Sequence, residues 1–374
     1  ECFVFDKRVA LGSDLRETKT TQCYACLSPL TVEDQQSPHY DPPHTCPHCH
    51  LDEQEQLELR LRNRRRKLDR ITSPLPGSIP YNNVRPLNVA QRFDGFTLLD
   101  YLRNAHPHLG EGYWERECDE GRIHQKYRPV RGDKPVRAGE QFAHLHPGTT
   151  EPDVNAKVEF LYEDDQIVVV NKSAPLPVHP SGRFHRNSLQ WILNEVYRPQ
   201  VLKPAHRLDA NTTGLIVFSK TRSVARVLQP QFEEGRVTKT YLALVHGNVE
   251  WKQTVCEAAI SREPANCGGR TIDEEGGLPS RSRFECLHHN PDGTSLILAV
   301  PETGRTNQLR VHLWHLGTPI VGDPLYLPDR RIGTAQTLSV GETMCLHAWK
   351  IGFHHPSTND FTEFETVRPD WARD

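Results

Sequence analysis

The densest chemistry in the chain lies in "PAHRLDANTTGLIVFSKT", residues 204–221, where His206, Arg207 and Asp209 precede a turn that feeds an apolar strand. An aspartate at the mouth of a core strand is costly to ionise unless a cation lies close by. Arg310, far downstream in "ETGRTNQLRVHLWHLGTPIVGDPLY", reads as part of an alternating strand and can be that cation; Arg305 and Asp323 share its block. A third stretch, "VTKTYLALVHGNV", is β-patterned and places Lys239 and Tyr241, two residues apart, on one face. Residue types alone leave two readings. One is a carboxylate kept charged for nucleophilic or base work; the other is a structural ion pair that pins a loop. His206 is similarly a structural hydrogen-bonding residue or a base.

A second chemistry is suggested near the start. Cys23 and Cys26 in "CYAC" and Cys46 and Cys49 in "CPHC" form two knuckles that can present four thiolates to one tetrahedral zinc. Redox-active or unpaired knuckles are the alternative, and His44, His48 and His50 could each replace a sulfur.

The elements that must position these groups follow from pattern. "LDEQEQLELRLRNRRRKLDRI", residues 51–71, is expected to be a helix, with its acids early and its bases late. Its Arg64–Lys67 cluster reads as a phosphate contact or a solvated face. "TSPLPGSIPYNNVRP" is expected to be a linker, giving boundaries of 1–71 for a Cys-rich zinc-binding segment and helix and 72–87 for the linker. Residues 88–150 form a small module with a helix in "GFTLLDYLRNA" and a short hairpin in "GRIHQKYRPVRGDKPVRAGEQFAHL". The last unit, 156–370, alternates strand and helix patterns without a strict βαβ rhythm, which predicts a mixed α+β domain.

Composition narrows the class. At 374 residues the chain is long enough for two or three domains, and a net charge of −3 neither advertises nor excludes a nucleic-acid partner, because a local basic groove can still steer RNA. No apolar run approaches the roughly 18 residues of a membrane span, and no secretory leader is evident, so the expected location is cytoplasmic. No P-loop, dinucleotide-binding glycine pattern or G-x-S-x-G elbow is present.

Five ordered stretches together resemble the RluA-type RNA pseudouridine synthases. "YEDDQIVVVNKSAPLPVHPSG" is similar to that family's opening segment, "HRLDANTTGLIVFSK" to its catalytic loop and "VTKTYLALVHG" to its tyrosine strand. "GRTNQLRVHLWHLGTPIVGDPLY" resembles its most distinctive block, and "CLHAWKIGFHHP" its closing strand. The resemblance runs from about Val158 to His355. Departures occur at Ser173, Ala210, Asn211, Thr213 and Asn307, where the family usually has Pro, Arg, Asp, Ser and His.

The resemblance implies a largely antiparallel mixed sheet and a cofactor-free isomerisation of uridine in RNA. The bond from uracil N1 to ribose C1′ breaks, the base turns, and C5 rejoins the sugar. It also implies a catalytic set of Asp209, Tyr241 and Arg310. Asp209 would attack C1′ or take a ribose proton to give a glycal. Arg310 would hold Asp209 ionised in a site dried by Leu215 and Leu309, and Tyr241 would stack on the released base. Arg207, Lys239, Arg305 and Leu309 are the implied RNA contacts, with Arg207 filling the stack vacated by a flipped uridine. A non-catalytic RNA-binding or chaperone role on the same fold is the competing expectation.

The upstream module resembles a divergent S4-type RNA-binding domain, with a plain structural cap as the alternative. "GRFHRNSLQWIL" and "HPGTTEPDV" are closest to the branch that modifies tRNA position 32, and "ECFVFDKRVALG" with its knuckles resembles the tail of rhodanese-like tRNA uridine hydroxylases. The expected partner is therefore RNA, tRNA ahead of rRNA, acted on by a monomer, with a rhodanese-type domain expected before residue 1. Structural zinc is the only metal expected.

Overall fold

In the computed structural model, residues 30–38, 46, 53–107, 109–265, 268–334 and 337–373 are described. They form two compact units, Pro76–Pro152 and the remaining described residues on either side of it in sequence.

The larger unit begins with α1 (Val32–Gln35), a single turn closed by a capping box: Asp34 N–H donates to Thr31 Oγ1, and Thr31 N–H donates back to the Asp34 carboxylate. It continues with α2 (Glu53–Thr72), close to the expected helix. Within the Arg64–Lys67 cluster, Arg65 and Arg66 are exposed as a solvated face would be, but Arg64 on α2 departs from that reading. It is buried, and its Nε and Nη2 donate to the Glu163 carboxylate at 3.1 and 3.0 Å. Glu163 also accepts from Lys220 Nζ at 2.8 Å and the Tyr197 hydroxyl at 2.6 Å. The helix therefore belongs with the residues after 153 rather than to a separate Cys-rich domain, because its ion-pair partners lie there.

The smaller unit holds β1 (Tyr81–Asn88), α3 (Leu98–Ala105), α4 (Tyr113–Asp119), β2 (Ile123–Gln125), β3 (Arg128–Pro129) and β4 (Gln141–Thr149). Its four strands lie in the order β1-β4-β2-β3, over a core of Leu87, Phe93, Leu98, Leu102, Trp114, Ile123 and Phe142. Part of the expected 72–87 linker is thus strand. β1 pairs antiparallel with β4 from Tyr81↔Thr149 to Asn88↔Gln141. Its asparagines and Pro86 read locally as a turn, but cross-strand pairing and the burial of Tyr81, Asn83 and Leu87 outweigh that preference. Pro86 is tolerable because β1 is an edge strand.

After residue 153 come β5 (Glu159–Glu163), β6 (Ile167–Lys172), α5 (Leu189–Tyr197), β7 (Lys203–Pro204), β8 (Thr213–Ser219), α6 (Arg222–Glu233), β9 (Thr238–His246), β10 (Gln253–Cys256), β11 (Ser282–His289), β12 (Thr294–Pro301), α7 (Gln308–His315), β13 (Leu346–His354) and β14 (Phe361–Glu365). They build a ten-stranded sheet ordered β10-β11-β12-β9-β13-β8-β6-β5, with β14 on β13 and β7 on β8. Among the described strands only β8 and β13 run parallel, so the fold is the expected mixed, largely antiparallel α+β architecture.

The central strands are buried on both faces, which explains their continuous apolar runs. From β8, Ile216 and Phe218 join Val168 and Val170 of β6 beneath α5, while Leu215 and Val217 join Ile167 and Val169 on the opposite face under α6. Each such side chain contributes roughly 1.5–3 kcal/mol on burial. Among the described residues no helix is long and apolar enough to cross a membrane.

Candidate active site

Asp209 sits in the loop between β7 and β8, and three features of the loop backbone hold it there. Ala205 N–H donates to Val217 O at 2.8 Å, Val217 N–H donates to His206 Nε2 at 3.2 Å, and Thr212 N–H closes a turn on Asp209 O at 3.1 Å. The His206 ring stacks on Phe232 at 4.7 Å, and burial with the nearby Lys239 pushes its pKa down to about 3. A ring that accepts from a strand amide matches the structural reading of His206.

Beneath the loop lies Lys172 at the end of β6, a residue the sequence reading gave no role. Its fully buried Nζ donates to the carbonyls of Ser173, Leu176 and Ala210 at 2.8, 2.9 and 3.0 Å, matching the three N–H bonds of an ammonium group. Burial draws its pKa down to about 7, and the nearby Asp209 carboxylate opposes that fall. The departures at Ala210, Asn211 and Thr213 are absorbed locally. Ala210 acts through its carbonyl, which also accepts from Leu176 N–H; Asn211 Oδ1 accepts from Leu338 N–H; and Thr213 Oγ1 lies 2.7 Å from His347 Nδ1.

Arg310 provides the expected cation: its Nη1 lies 3.0 Å from Asp209 Oδ2. It is carried by α7, not by the alternating strand expected from sequence. That helix is two turns long and buried from Gln308 through Leu313, so its pattern shows no polar face from which a helical period could be read. Arg310 is shared. Nε and Nη2 form a fork on Asp323, at 2.7 and 2.8 Å, and Nη1 also donates to Asn307 Oδ1 at 3.2 Å. Burial opposes its charge, yet the carboxylates of Asp323 and Asp209 raise its pKa and keep it a cation. Asp323 is itself fixed by the amides of Leu325 and Tyr326 at 2.8 and 3.0 Å. Its place in the "GDPLY" turn was the sequence signal for this anchoring role. Asn307, the departure from histidine, adopts φ 58° at the start of α7 and donates through Nδ2 to the Tyr326 hydroxyl at 3.2 Å.

Tyr241 on β9 is buried in the same apolar cluster as Leu208 and Leu309. Burial and the Asp209 carboxylate push its pKa well up, so the phenol keeps its proton. Asp209 remains 21% exposed at its side chain, leaving one face open beside an otherwise enclosed ion pair.

The remaining expected residues divide. Arg207 is exposed beside Asp209, and its charge acts on His179, whose pKa is lowered first by burial and then by that neighbour. Lys239 is half-buried, and burial lowers its pKa. Arg305 Nε donates to Pro279 O at 3.1 Å. Leu309, expected as an RNA contact, is only 6% exposed and offers an apolar wall rather than an open surface. Leu215 is a correction: strand alternation puts it on the face opposite Leu208 and Tyr241, where it cannot dry the site. Of the four expected zinc ligands, Cys46 is described and buried, while Cys23, Cys26 and Cys49 lie outside the described residues. Among the described residues no group of three or more His, Cys, Asp or Glu side chains is arranged to hold a metal.

The family model for RNA pseudouridylate synthase matches residues 166–315, which include Lys172, Asp209, Tyr241 and Arg310. The ribosomal large subunit pseudouridine synthase D of Nitrosomonas europaea is 33% identical over 317 residues, covering 80% of this chain and 88% of that protein. This chain belongs to the RNA pseudouridylate synthase family. The dual-specificity RNA pseudouridine synthase RluA of Pasteurella multocida is 33% identical over 57% of this chain and 94% of its own length. The mouse pseudouridylate synthase RPUSD2 is 34% identical over 63% of this chain, a match that spans 42% of the mouse protein. The match to the family model begins at the turn before β6 and ends with α7, so it includes both polypeptide segments that meet at the Asp209–Arg310 pair.

Proposed function

We propose that this chain is an RNA pseudouridine synthase that isomerises uridines in structured RNA, with tRNA as the favoured substrate. The observation that carries the activity is the 3.0 Å pairing of a partly exposed Asp209 with a buried Arg310, beside a buried, protonated Tyr241. Both routes to pseudouridine need an ionised carboxylate at the ribose, as nucleophile at C1′ or as base toward the sugar. The buried guanidinium supplies that carboxylate with a fixed countercharge at 3.0 Å. Tyr241 supplies a flat aromatic face and Leu309 an apolar wall to a uracil that must turn without leaving. No redox cofactor or nucleotide enters this chemistry. A base in a helix or tight loop must be extruded to reach Asp209, and the exposed Arg207 is suited to filling the gap and meeting phosphate.

Three sequence likenesses support tRNA: "GRFHRNSLQWIL", "HPGTTEPDV" and the Cys-rich start. The name of the Nitrosomonas europaea relative keeps ribosomal RNA as the alternative target. The 88–150 module is proposed as an RNA-binding attachment of S4 type, and the cytoplasm as the site of action. Release of tritium from RNA labelled at uridine C5 tests the activity. Asp209→Asn should abolish release while RNA affinity stays within about threefold, since one charge is removed from a surface that binds chiefly through cations. Turnover by that variant, or none by the wild type, sinks the reading; mapping pseudouridine in tRNA and rRNA with and without the gene separates the two targets. Cys23, Cys26, Cys46 and Cys49 are proposed to hold one structural zinc, a reading that rests on their spacing. Stoichiometric zinc in the purified protein, lost with Cys26→Ser, is the expected result.

A further inference from the structure

We infer that the tip of the β2–β3 hairpin, Lys126–Tyr127–Arg128, is a separate RNA contact at which Tyr127 stacks on an unpaired base and the flanking cations hold phosphates. The inference rests on the RNA reading above but concerns a surface that the proposed chemistry does not use. Tyr127 is 98% exposed, more than any other large apolar or aromatic side chain among the described residues. It lies at the turn of a two-residue hairpin whose last pair is Gln125↔Arg128. Both turn residues are left-handed, Lys126 at φ 49° and Tyr127 at φ 67°.

That geometry is the one Asn-Gly fills without strain, and lysine and tyrosine adopt it at a cost. A sequence selected only for a stable turn would not place a tyrosine there, fully in water. Strain held at a protruding side chain points to a use for that side chain.

The charges around it identify the occupant. Residues 121–131, "GRIHQKYRPVR", carry four Arg or Lys and no Asp or Glu. Arg122 is committed to Glu117 and Glu120, and Arg131, 90% exposed, faces Asp133 at 3.6 Å. Lys126 and Arg128 are exposed and make no ion pair among the described residues. An aromatic ring between two uncommitted cations matches a base with phosphates on either side. A peptide adding to the sheet edge is disfavoured, because β3 is only two residues long and one of them is Pro129. An apolar protein partner would need contiguous apolar surface, whereas the hairpin neighbours of Tyr127 are polar or cationic.

The test uses the full chain and a fluorescein-labelled RNA stem-loop with uridines in its single-stranded loop, read by anisotropy and by tritium release. Tyr127→Ala should weaken binding by about five- to a hundredfold, the range for loss of one base–aromatic stack. KM should rise while kcat at saturating RNA stays at the wild-type value. Tyr127→Phe should bind like wild type. The double change Lys126→Asn/Tyr127→Gly should raise the urea midpoint, by relieving the turn, and still lose affinity; a merely structural tyrosine would not give that combination. Wild-type binding and turnover with affinity unchanged in Tyr127→Ala and in the double variant would overturn the hairpin inference alone. A wild type that neither binds the stem-loop nor isomerises its uridines would overturn the functional reading and this one together.

Discussion

Arg310 serves two carboxylates, and the division of labour between them sets what each substitution should do. Its fork is spent on the buried Asp323, and one remaining N–H reaches the partly exposed Asp209. Asp323 is therefore the anchor of the guanidinium, and Asp209 keeps one open face. Asp323→Asn should destabilise the fold by about 3–5 kcal/mol, the range for breaking a buried pair from one side. It should also lower kcat about a hundredfold through misplacement of the guanidinium, with little change in KM. Urea titration and steady-state tritium release check both numbers, and an unchanged kcat would show that Asp209 does not depend on this anchor. Lys172 holds the backbone next to Asp209, through the carbonyl of Ala210.

At the scale of elements, the site exists because β8 and β13, distant in sequence, run parallel at the point where the Asp209 loop enters the sheet. Gly214 makes that approach possible. It sits at φ 112°, and a Cβ there would lie 2.2 Å from Ala348 O. Gly214→Ala should cost about 1–3 kcal/mol in backbone strain alone, and more from the clash, because β13 cannot retreat without losing its pairing with β9. A urea midpoint equal to wild type would refute that account. The Arg64–Glu163–Lys220 cluster ties α2 to the sheet in a comparable way, through burial rather than surface charge.

For the whole molecule, acid stability follows from histidines folded in neutral form. His347, between Thr213 and Thr366, has its pKa pushed by burial from 6.5 to about 4, and burial also lowers that of His312, held by Ser282 and Ala258. Below pH 6.5 the unfolded chain takes up protons that the folded chain refuses, so stability falls with acid. The contribution of His347 should be complete above about pH 6.5 and be lost progressively toward pH 4. Thermal midpoints at constant ionic strength should drop across that window, and His347→Gln should flatten part of the drop. An equally steep curve in the variant would remove His347 from the account.

The sequence by itself determined the family, the α+β class and the strand that follows Asp209, because ordered motifs and apolar runs are local properties of the chain; the pairing of Asp209 with Arg310, 101 residues apart, was an expectation from the family resemblance that the fold met. Several features were decided only by the tertiary structure. Arg310 lies on a helix because α7 is enclosed, and enclosure erases the polar face that makes a helix legible. Leu215 faces away from the site because strand alternation assigns faces only once the register of the sheet is known. Arg64 is buried because Glu163 waits for it 99 residues later, and Pro86 sits in a strand because β4 supplies the partner. Tyr127 gives the reverse case. Its hairpin was readable in the sequence, but only the folded backbone reveals a strained turn that holds an aromatic ring in water.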